Sequence, residues 1–280
     1  MIIISNTIVI ISMNEVRQSS AKVFLSSSNP LNWNTPTSCT SISCDVAPFV
    51  LRSNDTTHFV IGIECLSIPL AVYMVNVNNN VVELDGVTIT IPEGNYTVTT
   101  LTTYLNSQTG VTGITWAFNA NNTNNNKFTV TYPGITFFNG NAYTLLGYVP
   151  SNIFKLSHTF DNTVNLAYTT GIQVRLDNIQ TDNRDSQTGT SSIIARIPIT
   201  VAPFKVLQYF NAQPFYTTIA NRYINNIKIS LLDDEYRPLV LVGNPQWNIT
   251  LRIDFADKVQ SVREQKLIES LNTNMLTARK

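Results

Sequence analysis

NIKISLLDDEYRPLVLVGNPQWNITLRIDF, residues Asn226–Phe255, is the stretch whose reading decides the fold of this chain. Ile227, Ile229 and Leu231 alternate with Lys228 and Ser230, and Ile249, Leu251, Ile253 and Phe255 alternate with Asn248, Thr250, Arg252 and Asp254. Successive side chains of a strand leave opposite faces of the pleat, so strict alternation predicts strands with one buried face. Between the two runs, Asp233-Asp234-Glu235-Tyr236-Arg237-Pro238 and Gly243-Asn244-Pro245 supply turn residues. Leu239–Val242 reads as a short strand between them. Trp247, at the entrance to the last run, is expected in the core. No catalytic grouping shows in the stretch, and the expectation is a β-sandwich that works by presenting surfaces.

The same texture extends toward the N-terminus. Ala21–Leu25, Phe59–Pro69, Ala71–Val77, Val81–Leu84 and Val87–Ile91 read as strands, with Asn78-Asn79-Asn80 as a hairpin-type turn. At Thr97 the period changes: Val98, Leu101, Tyr104 and Leu105 recur at helical spacing behind a Thr N-cap, predicting a short amphipathic helix over Val98–Asn106. Ile114–Phe118 and Lys127–Tyr132 predict a hairpin joined by an Asn-rich exposed loop. Ala142–Leu146 predicts a helical turn capped by Gly147. Residues 151–170 carry no clear period. Strands return at Gly171–Leu176, Ile193–Val201, Val206–Phe210 and Phe215–Ile219. After Phe255, residues 256–280 place Val259, Val262, Leu267, Ile268, Leu271 and Met275 near helical period, predicting a C-terminal helical tail.

The chain has 280 residues, 43% hydrophobic and only 13% charged, with zero formal net charge. The charged share is about half of the ~25% usual for globular domains. Polarity comes from Asn, Thr and Ser, which leaves a surface with little self-repulsion and suits neutral, packed contacts with neighbouring subunits. Zero net charge and the lack of a basic run give no electrostatic basis for specific nucleic-acid binding. The apolar start, MIIISNTIVIIS, is broken at Ser5–Thr7 and has no basic flank. It falls short of the ~20 residues that span a bilayer and, in preference to a signal peptide, reads as a β-strand or as an N-terminal arm, residues 1–19, that pairs with a neighbour.

Chemistry is sparse. The only histidines, His58 and His158, are read on a strand edge and in a loop, without the neighbours a nucleophile would need. Asp233, Asp234 and Glu235 form the densest acidic cluster, but adjacent turn residues diverge, which disfavours a paired-carboxylate site. No catalytic residue, cofactor motif or metal-spaced set is assigned. Of Cys39, Cys44 and Cys65, the first two are five apart; the residues admit either a bridge between them in an oxidising compartment or free thiols. Four Asn-x-Thr acceptors, at Asn54, Asn95, Asn121 and Asn248, are what chance gives in a chain this rich in Asn and Thr.

The order of the pieces carries a resemblance. GIECLSIP leads to ITIPEGNYT and LTTYLN; KFTVTY is followed by YTLLGY, GIQVRLDNI, SSIIARIPI, PFYTTI and then INNIKISLLDDEYRPLVLVGNPQWNITLRIDF. From Ser20 to Phe255 the chain resembles the penton, or vertex minor capsid, proteins of the PRD1–adenovirus lineage, as in virophages, Polinton-like elements and large eukaryotic DNA viruses. The resemblance implies an all-β protein: a single jelly roll over 20–255 with short helices, and room for an insertion at 107–170. It implies a virion protein that forms homopentamers at icosahedral five-fold vertices and contacts major capsid protein and other minor capsid proteins. It also makes Asp233, Asp234, Glu235 and Arg237 candidate subunit contacts, joined from the tail by Leu267 and Leu271. The alternative reading is a secreted jelly-roll module binding a carbohydrate or receptor through exposed loops and Trp116, Trp247 and Tyr236.

Overall fold

A computed structural model of the chain describes residues 20–28, 33–35, 38–45, 51–52, 57–108, 113–119, 126–150, 153–181, 183–185, 189–221, 223–224 and 226–257. The arm at 1–19, the tail beyond Asp257 with Leu267 and Leu271, and the side chains of Cys39 and Cys44 lie outside the described residues.

The strands in chain order are β1 (Ser20–Ser26), β2 (Trp33–Thr35), β3 (Ser38–Asp45), β4 (Leu51–Arg52), β5 (Thr57–Pro69), β6 (Val81–Leu84) and β7 (Val87–Thr90). Helix α1 (Val98–Ser107) precedes β8 (Thr115–Asn119) and β9 (Lys127–Asn139); the short α2 (Tyr143–Leu146) precedes β10 (Ile153–Thr159). The remainder are β11 (Gly171–Leu176), β12 (Arg184–Asp185), β13 (Gly189–Thr190), β14 (Ile193–Pro198), β15 (Val206–Phe210), β16 (Thr217–Ile219), β17 (Tyr223–Ile224), β18 (Asn226–Leu232) and β19 (Asn248–Asp257).

Pairing organises them into three main sheets. The first runs β1-β19-β5-β15, with β16 also on β5; the second runs β14-β11-β18-β3-β2; the third runs β10-β9-β6-β7, with β8 on β9. Consider the eight principal strands in chain order as β1, β3, β5, β11, β14, β15, β18 and β19. The first sheet is then 1-8-3-6 and the second 2-7-4-5, both antiparallel. That is the strand order of a jelly roll, a ribbon of paired strands rolled into two facing sheets.

Alternation does the work expected of it. Leu25, Ile61, Ile63, Ile249, Leu251 and Ile253 of the first sheet meet Ile42, Ile172, Val174, Ile227, Ile229 and Leu231 of the second in one core. The two runs of the opening stretch are not sheet neighbours: β18 pairs with β11 and β3, whereas β19 pairs with β1 and β5. They face each other across the core, and residues 233–247 carry the chain from one sheet to the other. Leu239–Val242 is not a strand; Pro238 instead makes an isolated bridge to Leu232.

A second core lies between β5 and β11, gathered from Val75 to Phe160. The sequence leaves room for an insertion at 107–170, but this core already includes Val82, Ile89 and Leu101, because β6 pairs with β9 and not with a jelly-roll strand. Trp116 sits at its centre, with the rings of Phe128, Phe138 and Phe160 edge-on at 5.8–5.9 Å. Three sequence expectations change here. Ala71–Val77 is irregular apart from the Val75–Gly94 bridge, 153–159 is a strand, and His158 therefore lies in β10 and not in a loop.

Helix α1 forms despite a Thr-rich sequence of modest helix propensity. Thr97 and Thr100 satisfy each other's backbone amides in a reciprocal cap, and Leu101 and Leu105 bury one face. Helix α2 ends at Gly147 with φ 88°, where its amide donates to the Tyr143 carbonyl at 2.8 Å.

The molecule has a polarity. Ser20 pairs with Asp254, and Asp257 pairs with Thr57, so β1 begins and β19 ends at one end of the first sheet. β5 starts at that same end and delivers Pro69, and then the inserted core, to the other.

Candidate assembly surfaces

The acidic turn after β18 is the first sequence-predicted surface. Asp233 is 1% exposed; its Oδ1 accepts from the amides of Glu235 and Arg237, each at 2.9 Å, and its Oδ2 from Arg237 Nε at 2.9 Å. Arg237 Nη1 reaches the Asn78 carbonyl at 2.9 Å and Glu235 Oε2 at 3.0 Å. Tyr236 takes the left-handed conformation, φ 64°, that lets the turn close on Asp233. The structure thus turns Asp233 inward, spends Arg237 on Asp233, Glu235 and Asn78, and leaves Glu235 as the exposed carboxylate.

Asp234 looks toward the insertion. Its Oδ2 accepts from the Thr170 amide at 2.6 Å and the Thr170 hydroxyl at 2.7 Å, and its Oδ1 from Arg196 Nη2 at 2.7 Å. Burial opposes the charged form, but the Thr170 donors, the Arg196 guanidinium and the Thr169 hydroxyl outweigh it and hold the carboxyl below its ordinary range. Asn78 Nδ2 donates to the Tyr168 hydroxyl at 3.0 Å and the Pro238 carbonyl at 3.1 Å. The turn therefore clasps both connections of the inserted core: Asn78 on the way in, Tyr168–Thr170 on the way out. Beside this neck lies an apolar groove of about 470 Å³ lined by Leu70, Val72, Met74, Leu166, Tyr168 and Ile199.

The second surface is the outer face of the first sheet. Register places Phe24, Thr250, Cys65 and Phe210 in one row across β1, β19, β5 and β15. Lys22–Arg252–Gly62 lie on one side of that row and Ser26–Asn248–Ser67–Gln208 on the other. Phe24 is 75% exposed and Phe210 71%, while the Thr250 and Cys65 between them are half-buried. Residues 211–216 fold over the same face: Pro214 rests on Gly62, where a Cβ would come within 2.7 Å of the proline ring, and Phe215 is left 87% exposed. The charges on this face pair with one another, Lys22 Nζ with Glu64 Oε1 at 2.7 Å and Arg252 Nε with Asp254 Oδ1 at 3.2 Å. The sequence reading passed over these phenylalanines. Their signal is that Val206-Leu-Gln-Tyr-Phe210 does not alternate cleanly: Leu207 faces the core, while Val206 and Phe210 stay out.

The aromatics invoked for a carbohydrate site are placed otherwise. Trp116 and Trp247 are 2% and 0% exposed, each inside a core, and Tyr236 is half-buried in the acidic turn. Among the described residues no three His, Cys, Asp or Glu side chains gather to hold a metal ion, and no helix is long and apolar enough to cross a membrane.

No family model and no curated protein matches the chain. Among the solved structures similar to it are the following two. The crystal structure of the mavirus penton protein shares 10% identity at TM-score 0.44, over 85% of this chain and 99% of that one. A chain of the Sputnik virophage structure shares 11% at TM-score 0.40, over 87% and 99%. The jelly roll itself rests on the strand order above and not on these likenesses.

Proposed function

We propose that the chain is a structural capsid subunit of the penton type, forming a homopentamer at the five-fold vertices of an icosahedral virion and contacting major capsid protein around it. One observation carries the reading: an aromatic outer sheet face on which every ion pair is closed internally. Phe24, Phe210 and Phe215 stand exposed there beside Lys22–Glu64 and Arg252–Asp254. Such a face gains by being covered, and each charge named on it already has a partner of opposite sign. The jelly-roll order and the motif resemblance from Ser20 to Phe255 support the same reading. The polarity of the fold suggests the orientation, with the end that releases both tails toward the particle interior and the inserted core outward. Native mass spectrometry and sedimentation of the full chain test it. A five-chain species is expected; a monomer that persists at high concentration and with major capsid protein overturns the reading.

A further inference from the structure

The row Phe24–Thr250–Cys65–Phe210 has the cross-section of a trough. Its walls are exposed phenylalanines on the two outermost strands, and its floor is made of the small side chains Thr250, Cys65 and Ser67. Three strand spacings of ~4.8 Å set the walls ~14 Å apart, wide enough for one extended segment packed on the sheet. At one end the loop carrying Pro214 and Phe215 covers Gly62.

The chain outside the described residues supplies an occupant of matching chemistry. Ile2-Ile-Ile-Ser-Asn-Thr-Ile-Val-Ile-Ile11 is uncharged, and at strand period one face carries Ile2, Ile4, Ile8 and Ile10 with Asn6 between them. The trough is walled on both sides where β15 runs beside β5, Cys65–Pro69, so it takes about five extended residues, ~17 Å, of this segment. The segment precedes β1, which begins at Ser20 on the edge of the same sheet. β1 starts with Ser20 near the end of the sheet and runs inward from there. Lying in its own trough would need a full reversal, whereas residues 12–19 running straight on reach up to ~28 Å toward the next subunit.

We infer that the trough on the outer face of the first sheet receives the apolar segment Ile2–Ile11 of a neighbouring copy. The inference rests on the assembly reading above. Each subunit gives one segment and receives one, so donor and acceptor surfaces differ, which is the kind of contact that closes into a ring. Lys22 pairs with Glu64 and Arg252 with Asp254, so the charges of this face are already matched in sign, with Glu64 Oε2 a buried carboxylate oxygen there that has no hydrogen-bond partner among the described residues.

Cys65 on the floor makes the contact directly readable. The full chain carrying Ile8→Cys is oxidised mildly, resolved on a non-reducing denaturing gel, and its linked peptides are identified by mass spectrometry. Interchain species joined between position 8 and Cys65 are expected. Replacing the walls with Phe24→Asp and Phe210→Asp should cut that linkage about tenfold or more, since a charge set against apolar surface is costly. Leu156→Asp, on an exposed residue of the inserted core, should leave it unchanged. An oligomer without the linkage, or with it only inside single chains, overturns the inference. A wild-type chain that sediments as a monomer overturns the assembly reading instead.

Discussion

Trp247 closes the jelly roll where the chain enters its last strand. It has no exposed surface, its amide donates to Ser27 Oγ at 2.8 Å, and the Ser27 amide returns to its carbonyl at 2.9 Å. Truncation would leave a ring-sized cavity in a close-packed interior. Trp247→Ala should therefore lose about 3–5 kcal/mol in denaturant unfolding, and a loss below about 1 kcal/mol would contradict the burial. Gly147 is constrained differently. At φ 88° a Cβ would run into the Asn162 carbonyl, so Gly147→Ala should destabilise the inserted core by about 1 kcal/mol or more, read as earlier loss of its tryptophan signal. The burial of Trp247 was legible because a large aromatic preceded an alternating run. The inward turn of Asp233 was not, because it depends on Arg237 closing over it and on Asn78, more than 150 residues away, completing the guanidinium's contacts.

At the scale of elements, the acidic turn acts as a clasp on the neck of the insertion. Asp234→Ala removes three acceptor contacts, to Thr170 and Arg196, and should cost about 1.5–3 kcal/mol in overall stability. It should also open the neck at 70–78 and 162–170 to limited proteolysis before either core melts. The pH dependence follows from the lowered Asp234 pKa. Its folded value lies below its unfolded one, so its contribution is complete above about pH 4 and fades as pH falls through the folded value. Asp234→Asn should flatten that acid limb of the stability curve; an unchanged limb would assign it to other carboxylates. Individual strands were readable from period two, and α1 from its cap and its Leu101–Leu105 spacing. Partnership was not. β18 and β19 look like a hairpin in sequence, and only long-range pairing with β3, β5 and β11 separates them into facing sheets.

For the whole molecule, the outer face of the first sheet should govern association. Phe210→Asp with Phe215→Asp leaves both cores untouched, so the variant should keep its unfolding midpoint while shifting from oligomer to monomer in sedimentation. An unchanged oligomer would move the interface elsewhere, with Glu235 at the acidic turn the next residue to vary. The architecture was legible as far as a β-sandwich. The extent of the second core was obscured because β6 and β7 have the same period as jelly-roll strands, and only their partner, β9, shows which core they serve. The outward phenylalanines were hidden for a related reason: hydrophobicity alone does not say which face of a strand is covered.

The neck has one more consequence. Leu70 exchanges hydrogen bonds with Phe204 and Lys205, and Thr170 accepts from the Ile199 amide, so the two ends of the insertion are pinned to the same short loop. Their separation is therefore set by the jelly roll and not by what hangs between them. The inserted core is in effect a cassette in a socket. A linker of about four to six residues, the ordinary length of a connection between elements, should bridge the gap. A foreign domain with closely spaced termini should graft there without disturbing the outer face of the first sheet.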